Sequence, residues 1–165
     1  MIGSSFVVRT ADDESTAAAC VALWVDAVAD RDGVPASEAV RARADEKFAA
    51  ERVALVVAED GGAVPLGFAL VSAPGSGGTP SDAAYLSLLA VAPAAQGHGL
   101  GRRLLAAAVD AAAAAGHVRC ELHALDDNAP ALALYASAGF RPVGEPFPHA
   151  LSGRPTHVWR AGVGG

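Results

Sequence analysis

At 165 residues the chain is long enough for one domain with a buried core and too short for two ordinary enzyme domains. A net charge of −6 argues against a nucleic-acid partner, and 52% hydrophobic residues with only 5% aromatics describe an alanine-rich globular chain. The longest alanine run, residues 106–115, is interrupted by Asp110 and falls far short of a membrane span. The opening MIGSSFVVRT lacks the basic-then-apolar pattern of a signal peptide. Cys20 and Cys120 read as two buried thiols in a reducing compartment, so the cytoplasm is expected.

In chain order, residues 6–9 read as a first strand. Residues 16–29 have helical spacing in Cys20, Leu23, Trp24 and Val28, with Asp12, Asp13 or Ser15 as cap. A loop, DRDGVPAS, leads to a second helix over residues 37–52 capped by Ser37. Strands over 53–58 and 66–72 flank the turn EDGGAVP, the pattern of an antiparallel hairpin. The glycines and prolines of APGSGGTPSD predict a connection without regular structure.

A strand over 84–91 is followed by a glycine-rich loop and a helix over 99–115, with the apolar stripe Leu100, Leu104, Leu105, Ala108, Val109 and Ala112. Residues 118–125 are the next strand, and strand–helix–strand predicts a parallel pair. A short helix over 129–138 ends at Gly139. Two last strands, 140–143 and 156–159, are separated by EPFPHALSGRP. The whole reads as one α/β domain, 1–165.

The strand over 84–91 has an irregular pattern. Leu86 and Leu88 share one face of a regular strand while Leu89 and Val91 share the other, so the apolar parity slips between Leu88 and Leu89. Either a bulge inserts a residue here, or the strand is buried on both faces. A bulge would open a cleft with unpaired backbone groups.

Gly97, Gly99 and Gly101 alternate in the loop that opens the helix, where unpaired N–H groups and the helix dipole favour a phosphate. Arg102 and Arg103 add positive charge. The Lys-Ser/Thr end of a nucleotide-binding P-loop is missing, and GxGxG is not the dinucleotide spacing GxGxxG. A Gln96-x-x-Gly99-x-Gly101 loop after a proline turn remains. His117, Cys120 and His123 have metal-like spacing, but on a strand Cys120 points away from the histidines, so no metal is expected. Nor is a base placed to activate Cys120 as an acyl carrier.

VAPAAQGHGLGRRLL resembles the acyl-coenzyme-A binding motif of the GCN5-related N-acetyltransferase (GNAT) superfamily. Asn128-A-P-Ala131-L-A-Leu134-Tyr135-A-S-A-Gly139-Phe140 resembles its second motif, and the two span residues 85–140, about a third of the chain. The resemblance implies a mixed, mostly antiparallel sheet of six to seven strands, a central parallel βαβ unit, a splayed cleft and about four helices. It implies acetyl-CoA as cosubstrate, its pyrophosphate on the backbone of Gln96, Gly97, His98, Gly99, Leu100, Gly101 and Arg102. Its pantetheine arm would pair with Leu89, Ala90 and Val91 and touch Asn128. The amide of Leu89 would polarise the acetyl carbonyl, and Tyr135 would protonate the departing thiolate.

The glutamate that several family members use as base is replaced by Tyr85, and Ser87 is no base either. Glu121 and His123 share a strand face, so the amine's proton is expected to leave through ordered water to one of them or to solvent. The expected reaction is direct transfer of acetyl to a primary amine of a small molecule in a ternary complex. The acceptor would lie between residues 30–35 and 146–155, beside Tyr85, Ser87, His123 and Asp30, with Asp26, Asp30 and Asp32 attracting a cationic amine. A protein or peptide acceptor, a longer acyl donor, and a non-catalytic acyl-CoA sensor are the alternatives, and a homodimer is left open.

Overall fold

The computed structural model describes residues 6–62 and 64–163. Seven strands form one sheet in the spatial order β1 (Val7–Thr10), β2 (Arg52–Glu59), β3 (Gly67–Ser72), β4 (Ala83–Val91), β5 (Arg119–Leu125), β7 (Pro155–Gly162) and β6 (Arg141–Pro148). All neighbours are antiparallel except β4 and β5, which the helix α3 (Leu100–Ala114) connects. The other helices are α1 (Glu14–Asp32), α2 (Glu38–Ala49) and α4 (Ala129–Ser137). The expected fold class is what the chain adopts. Residues 1–5, where the signal-peptide reading begins, and Ala63 in the expected EDGGAVP turn lie outside the described residues.

Strand alternation sorts the core into two layers. Leu55, Val57, Phe68 and Leu70 pack with Cys20, Val21, Leu23 and Ala44 from α1 and α2. Val56, Ala58, Ala69 and Val71 face the opposite way, onto Leu100, Leu104, Leu105, Ala108 and Ala112 of α3. The α3 stripe is as read from the sequence, with Val109 at its half-buried margin.

Caps and breakers set the helix ends. Asp13 caps α1, its carboxylate accepting from Thr16 N at 2.7 Å. The helix then runs to Asp32, beyond the expected loop start at Asp30, because the first residue that leaves helical geometry is Gly33, at φ 65°. Ser37 caps α2 as expected, but α2 stops at Ala49, since Arg52 already pairs with Ser72 in the sheet. The connection over 73–82 holds a short 3₁₀ turn, Ser76–Gly78, where no regular structure was expected.

The final hairpin is longer than the sequence suggested. Prolines at 142, 146 and 148 sit on β6, which is the outer strand and pairs only with β7, so their missing N–H groups cost no ladder bond on the open side.

The irregularity in β4 is a bulge, displaced by one residue from its expected place. Leu70 pairs with Leu88 and Val71 with Leu86, leaving Ser87 as the extra residue. Leu86 therefore faces the α3 layer together with Leu89 and Val91, while Leu88 and Ala90 face α1 and α2. The pairing of Leu86 with Leu88 on one face was wrong, because the bulge falls between them.

Candidate functional site

The parallel pairing of β4 with β5 ends at Leu86 and Leu122, although β4 continues to Val91 and β5 to Leu125. Beyond that point the strands splay apart. Ala92 N donates to Leu66 O at 2.8 Å, which fixes the ladder phase: Ala90 and Leu88 direct their backbone groups to β3. Leu89 and Val91 direct theirs into the gap left by β5. The resulting cavity, of about 900 Å³, is lined along β4 by Tyr85 to Val91, along β5 by Leu122 to Leu125, and at its ends by the glycine loop and by α1, α2 and the β6–β7 turn.

The three loop glycines have two different causes. Gly97 and Gly99 sit at φ 84° and 77° with open space where a Cβ would be, so the backbone conformation alone calls for glycine. At Gly101 a Cβ would lie 3.4 Å from Leu134 Cδ2 and 3.9 Å from Val91 Cγ2, so close packing is the cause. Gly99 is the α3 N-cap without a side-chain bond, which leaves the N–H groups of Leu100, Gly101 and Arg102 free at the helix start.

Several residues of the expected phosphate set have groups engaged elsewhere or side chains outside the cavity lining. Gln96 spends its N–H on Pro93 O, at 3.4 Å, and its side chain on Val91 O, at 3.2 Å. His98 does not line the cavity, and its Nδ1 lies 3.2 Å from Ala95 O. Arg102 is exposed beside the loop and does not line the cavity either. Arg103 is tied to Phe6 O at 3.1 Å.

Asn128 stands at the α4 N-cap, where its side chain makes no cap bond, and it lines the cavity. Tyr135 lines the same wall with its ring 6.2 Å from that of Phe140, and burial pushes its phenol up to about 12. It stays protonated throughout the neutral range.

At the opposite end a buried chain of polar groups spans β4, β5 and α2. Tyr85 Oη lies 3.3 Å from His123 Nδ1, and Lys47 Nζ donates to Ser87 O at 3.0 Å and lies 3.5 Å from Tyr85 Oη. Gly77 presses on the Tyr85 ring: a Cβ there would be 2.6 Å from Cε2. Burial lifts the Tyr85 phenol to about 12, and burial, then the Lys47 charge, brings His123 down to about 4. Neither group holds a proton taken from an amine at neutral pH. The Ser87 hydroxyl is engaged with Leu70 O at 3.3 Å and Ser72 Oγ at 3.2 Å. Glu121 pairs with Arg160 at 2.6 Å and does not line the cavity, which removes it as a proton acceptor there.

Of the carboxylates expected to attract an amine, Asp30 lines the cavity. Asp26 is exposed on α1 and absent from the lining, and Asp32 is paired with Arg31 at 2.9 Å and with Arg154 at 3.2 Å. Arg154 also reaches Asp127 at 2.7 Å and so ties the β6–β7 turn to the end of α1 and the start of α4. The two segments expected around the acceptor are both there, through Asp30, Arg31 and residues 147–151.

Lys47 and Arg43 were missed. The signal was available: Lys47 is the only lysine of the chain and lies four residues after Arg43, on the same helix face. Cys120 faces α3 while His123 faces the cavity, and among the described residues no cluster of three His, Cys, Asp or Glu side chains could hold a metal.

The model of the acetyltransferase (GNAT) family matches residues 21–140. A mycothiol acetyltransferase from Beutenbergia cavernae is 50% identical over 56 residues, which are 34% of this chain and 19% of that protein's length. The ribosomal-protein-S18-alanine N-acetyltransferase from Escherichia coli superposes with a TM-score of 0.73 at 21% identity, over 96% of this chain and 94% of that one. The IAA acetyltransferase from Bacillus cereus gives 0.68 at 22% identity, over 96% and 100%. These structures share the fold. With the family match covering most of its length and both motifs lining one splayed cleft, the chain belongs to the acetyltransferase (GNAT) family.

Proposed function

We propose that the protein transfers an acetyl group from acetyl-CoA to a primary amine of a small molecule, within one ternary complex. The observation that carries this reading is the splay after Leu86 and Leu122, which leaves the Leu89 N–H pointing into a cavity with a phosphate-type loop at one end. Acetyl-CoA supplies an acetyl group activated as a thioester. The N–H groups of Gly97 and Gly99 to Arg102 hold the pyrophosphate, and Arg102 is near enough to add charge outside the cavity. The Leu89 C=O and the Val91 N–H pair with the pantetheine arm, which leaves the Leu89 N–H for the acetyl group, and Asn128 supports the arm from α4.

Leu89 N–H donates to the acetyl oxygen as negative charge builds there. The C–N bond forms as the C–S bond breaks, and the sulfur leaves as thiolate. Tyr135 donates a hydrogen bond to that sulfur. A phenol at about 12 stabilises the thiolate in place more than it surrenders its own proton, so the thiol proton comes from water on release. The amine's proton leaves to solvent through the Tyr85–His123 end, where no group retains it. Cys20 and Cys120 are free and buried, and burial lifts both thiols to about 12, which argues against a covalent acyl-enzyme and suits the cytoplasm. No described helix is long and apolar enough to cross a membrane.

Thiol release from acetyl-CoA with a panel of amines is the test. Amine-dependent release with a sequential kinetic pattern supports the reading. Tight acetyl-CoA binding without acetylation of any amine supports a non-catalytic acyl-CoA binder instead.

A further inference from the structure

The acceptor end of the cavity is positive on a negative protein. The chain has 18 acidic and 12 basic residues, yet Arg31, Arg43 and Lys47 line this cavity against one carboxylate, that of Asp30. Arg31 is partly offset by Asp32. Among the described residues Arg43 and Lys47 have no carboxylate partner within ion-pair distance. Lys47 is the more telling of the two. Its ammonium is held inward by a backbone carbonyl, Ser87 O at 3.0 Å, and lies 5.4 Å from the centre of the Tyr85 ring. A desolvated cation with only neutral contacts leaves donors free for an anion.

A second, smaller cavity of about 270 Å³ adjoins the same point and shares Arg43, Lys47, Gly77, Tyr85, Ser87 and His123 as its wall. Glu46 is the one carboxylate lining it. The titratable and charged groups around Lys47 are therefore Arg43 and Glu46 on its own helix, Tyr85 and His123 on the sheet, His149 in the β6–β7 turn, and Arg31 and Asp30 at the end of α1. The field they set up is felt by the histidines: Lys47 and Arg43 lower both His123 and His149, with burial the larger cause in each.

We propose that the acceptor is an aminocarboxylate whose acid group is held by Lys47 and Arg43. This rests on the reading of the cleft as an acetyltransferase site. Ser87, which anchors Lys47, is two residues from Leu89, a span of roughly 7 Å along a strand. An α- or β-amino acid bridges that gap, with its acid on the two cations and its amine directed at the carbonyl held by Leu89. Asp30 stands at the outer end, where it draws the ammonium end of such a zwitterion inward.

The test compares an amino acid, its carboxamide and its decarboxylated amine as acceptors for the wild-type chain and for Lys47→Met and Arg43→Gln. Binding of the same compounds is measured calorimetrically in the presence of CoA. The proposal expects kcat/KM to favour the free acid by 10-fold or more, and each variant to lose on the order of 10- to 100-fold for the acid alone. Lys47→Arg should keep part of the preference. Equal or better turnover of the carboxamide and the decarboxylated amine overturns the proposal while leaving acetyl transfer intact. No turnover, but acid-selective binding that the variants abolish, sustains it while overturning the catalytic reading. Neither turnover nor selective binding overturns both.

Discussion

Leu86 and Leu122 are the last paired residues of the two parallel strands, and three residues farther on the Leu89 N–H faces open space. The Ser87 bulge lies between those two facts. It turns the β4 ladder by one residue, so that Leu89 packs its side chain toward α3 and aims its backbone across the cleft. A regular strand would have kept pairing with β5 and left no room for a thioester.

Tyr135→Phe removes the hydroxyl proposed to donate to the leaving sulfur, and little volume. Thiol release at saturating substrates should fall roughly 10- to 100-fold, the range for a lost hydrogen bond to a charged group. Acetyl-CoA affinity should stay within about threefold, since the pyrophosphate loop is untouched. Unchanged turnover would remove Tyr135 from the mechanism.

Gly77→Ala tests the acceptor end without removing a polar group. The new Cβ would meet the Tyr85 ring at 2.6 Å on a backbone at φ 60°, so Tyr85 must shift and its contacts with His123 and Lys47 change. The acceptor KM should rise roughly tenfold, while acetyl-CoA KM is unaffected. Equal changes in both constants would mean that the substitution disturbs the whole sheet.

These two ends of the cleft were not equally legible. The glycine loop and the Asn128–Phe140 motif are contiguous in the chain, and local backbone chemistry fixes their form, so sequence alone located them. The bulge was visible as a parity slip, but sequence could not say that Ser87 was the extra residue, because a hydroxyl that finds Leu70 O and Ser72 Oγ is as buried as a leucine. The acceptor end depends on α2, β4, β5 and the β6–β7 turn meeting in space. No local pattern says that Lys47 reaches Ser87 O, or that Arg154 takes Asp32 out of the site.

Stability should depend on pH through His123. Its folded value, about 4, lies below the ordinary 6.5, so the unfolded chain binds the extra proton between those limits. The His123 contribution is therefore full above pH 6.5 and is lost as pH falls toward 4, by at most roughly 3 kcal/mol. Lys47, at about 8 in place of 10.5, acts in the other range: stability rises between pH 8 and 10.5 as the buried ammonium loses its charge. Urea unfolding across pH should show both slopes, with His123→Gln flattening the acid one and Lys47→Met the alkaline one.

Arg154→Ala should separate positioning from stability. The guanidinium is one-third exposed, at 33%, so its pairs with Asp127 and Asp32 are worth at most about 1 kcal/mol. Loosening the β6–β7 turn should nevertheless raise the acceptor KM several-fold, with kcat and acetyl-CoA binding little changed. A large loss of thermal stability would show the tie to be structural.

The most direct measurement is the amide spectrum of the protein titrated with acetyl-CoA and, separately, with CoA. Both ligands should move the N–H signals of Gly97, Gly99, Leu100, Gly101 and Arg102, and only acetyl-CoA should move that of Leu89 strongly downfield, as a new hydrogen bond to the acetyl oxygen forms. A Leu89 signal that responds equally to both ligands, or to neither, would contradict the account.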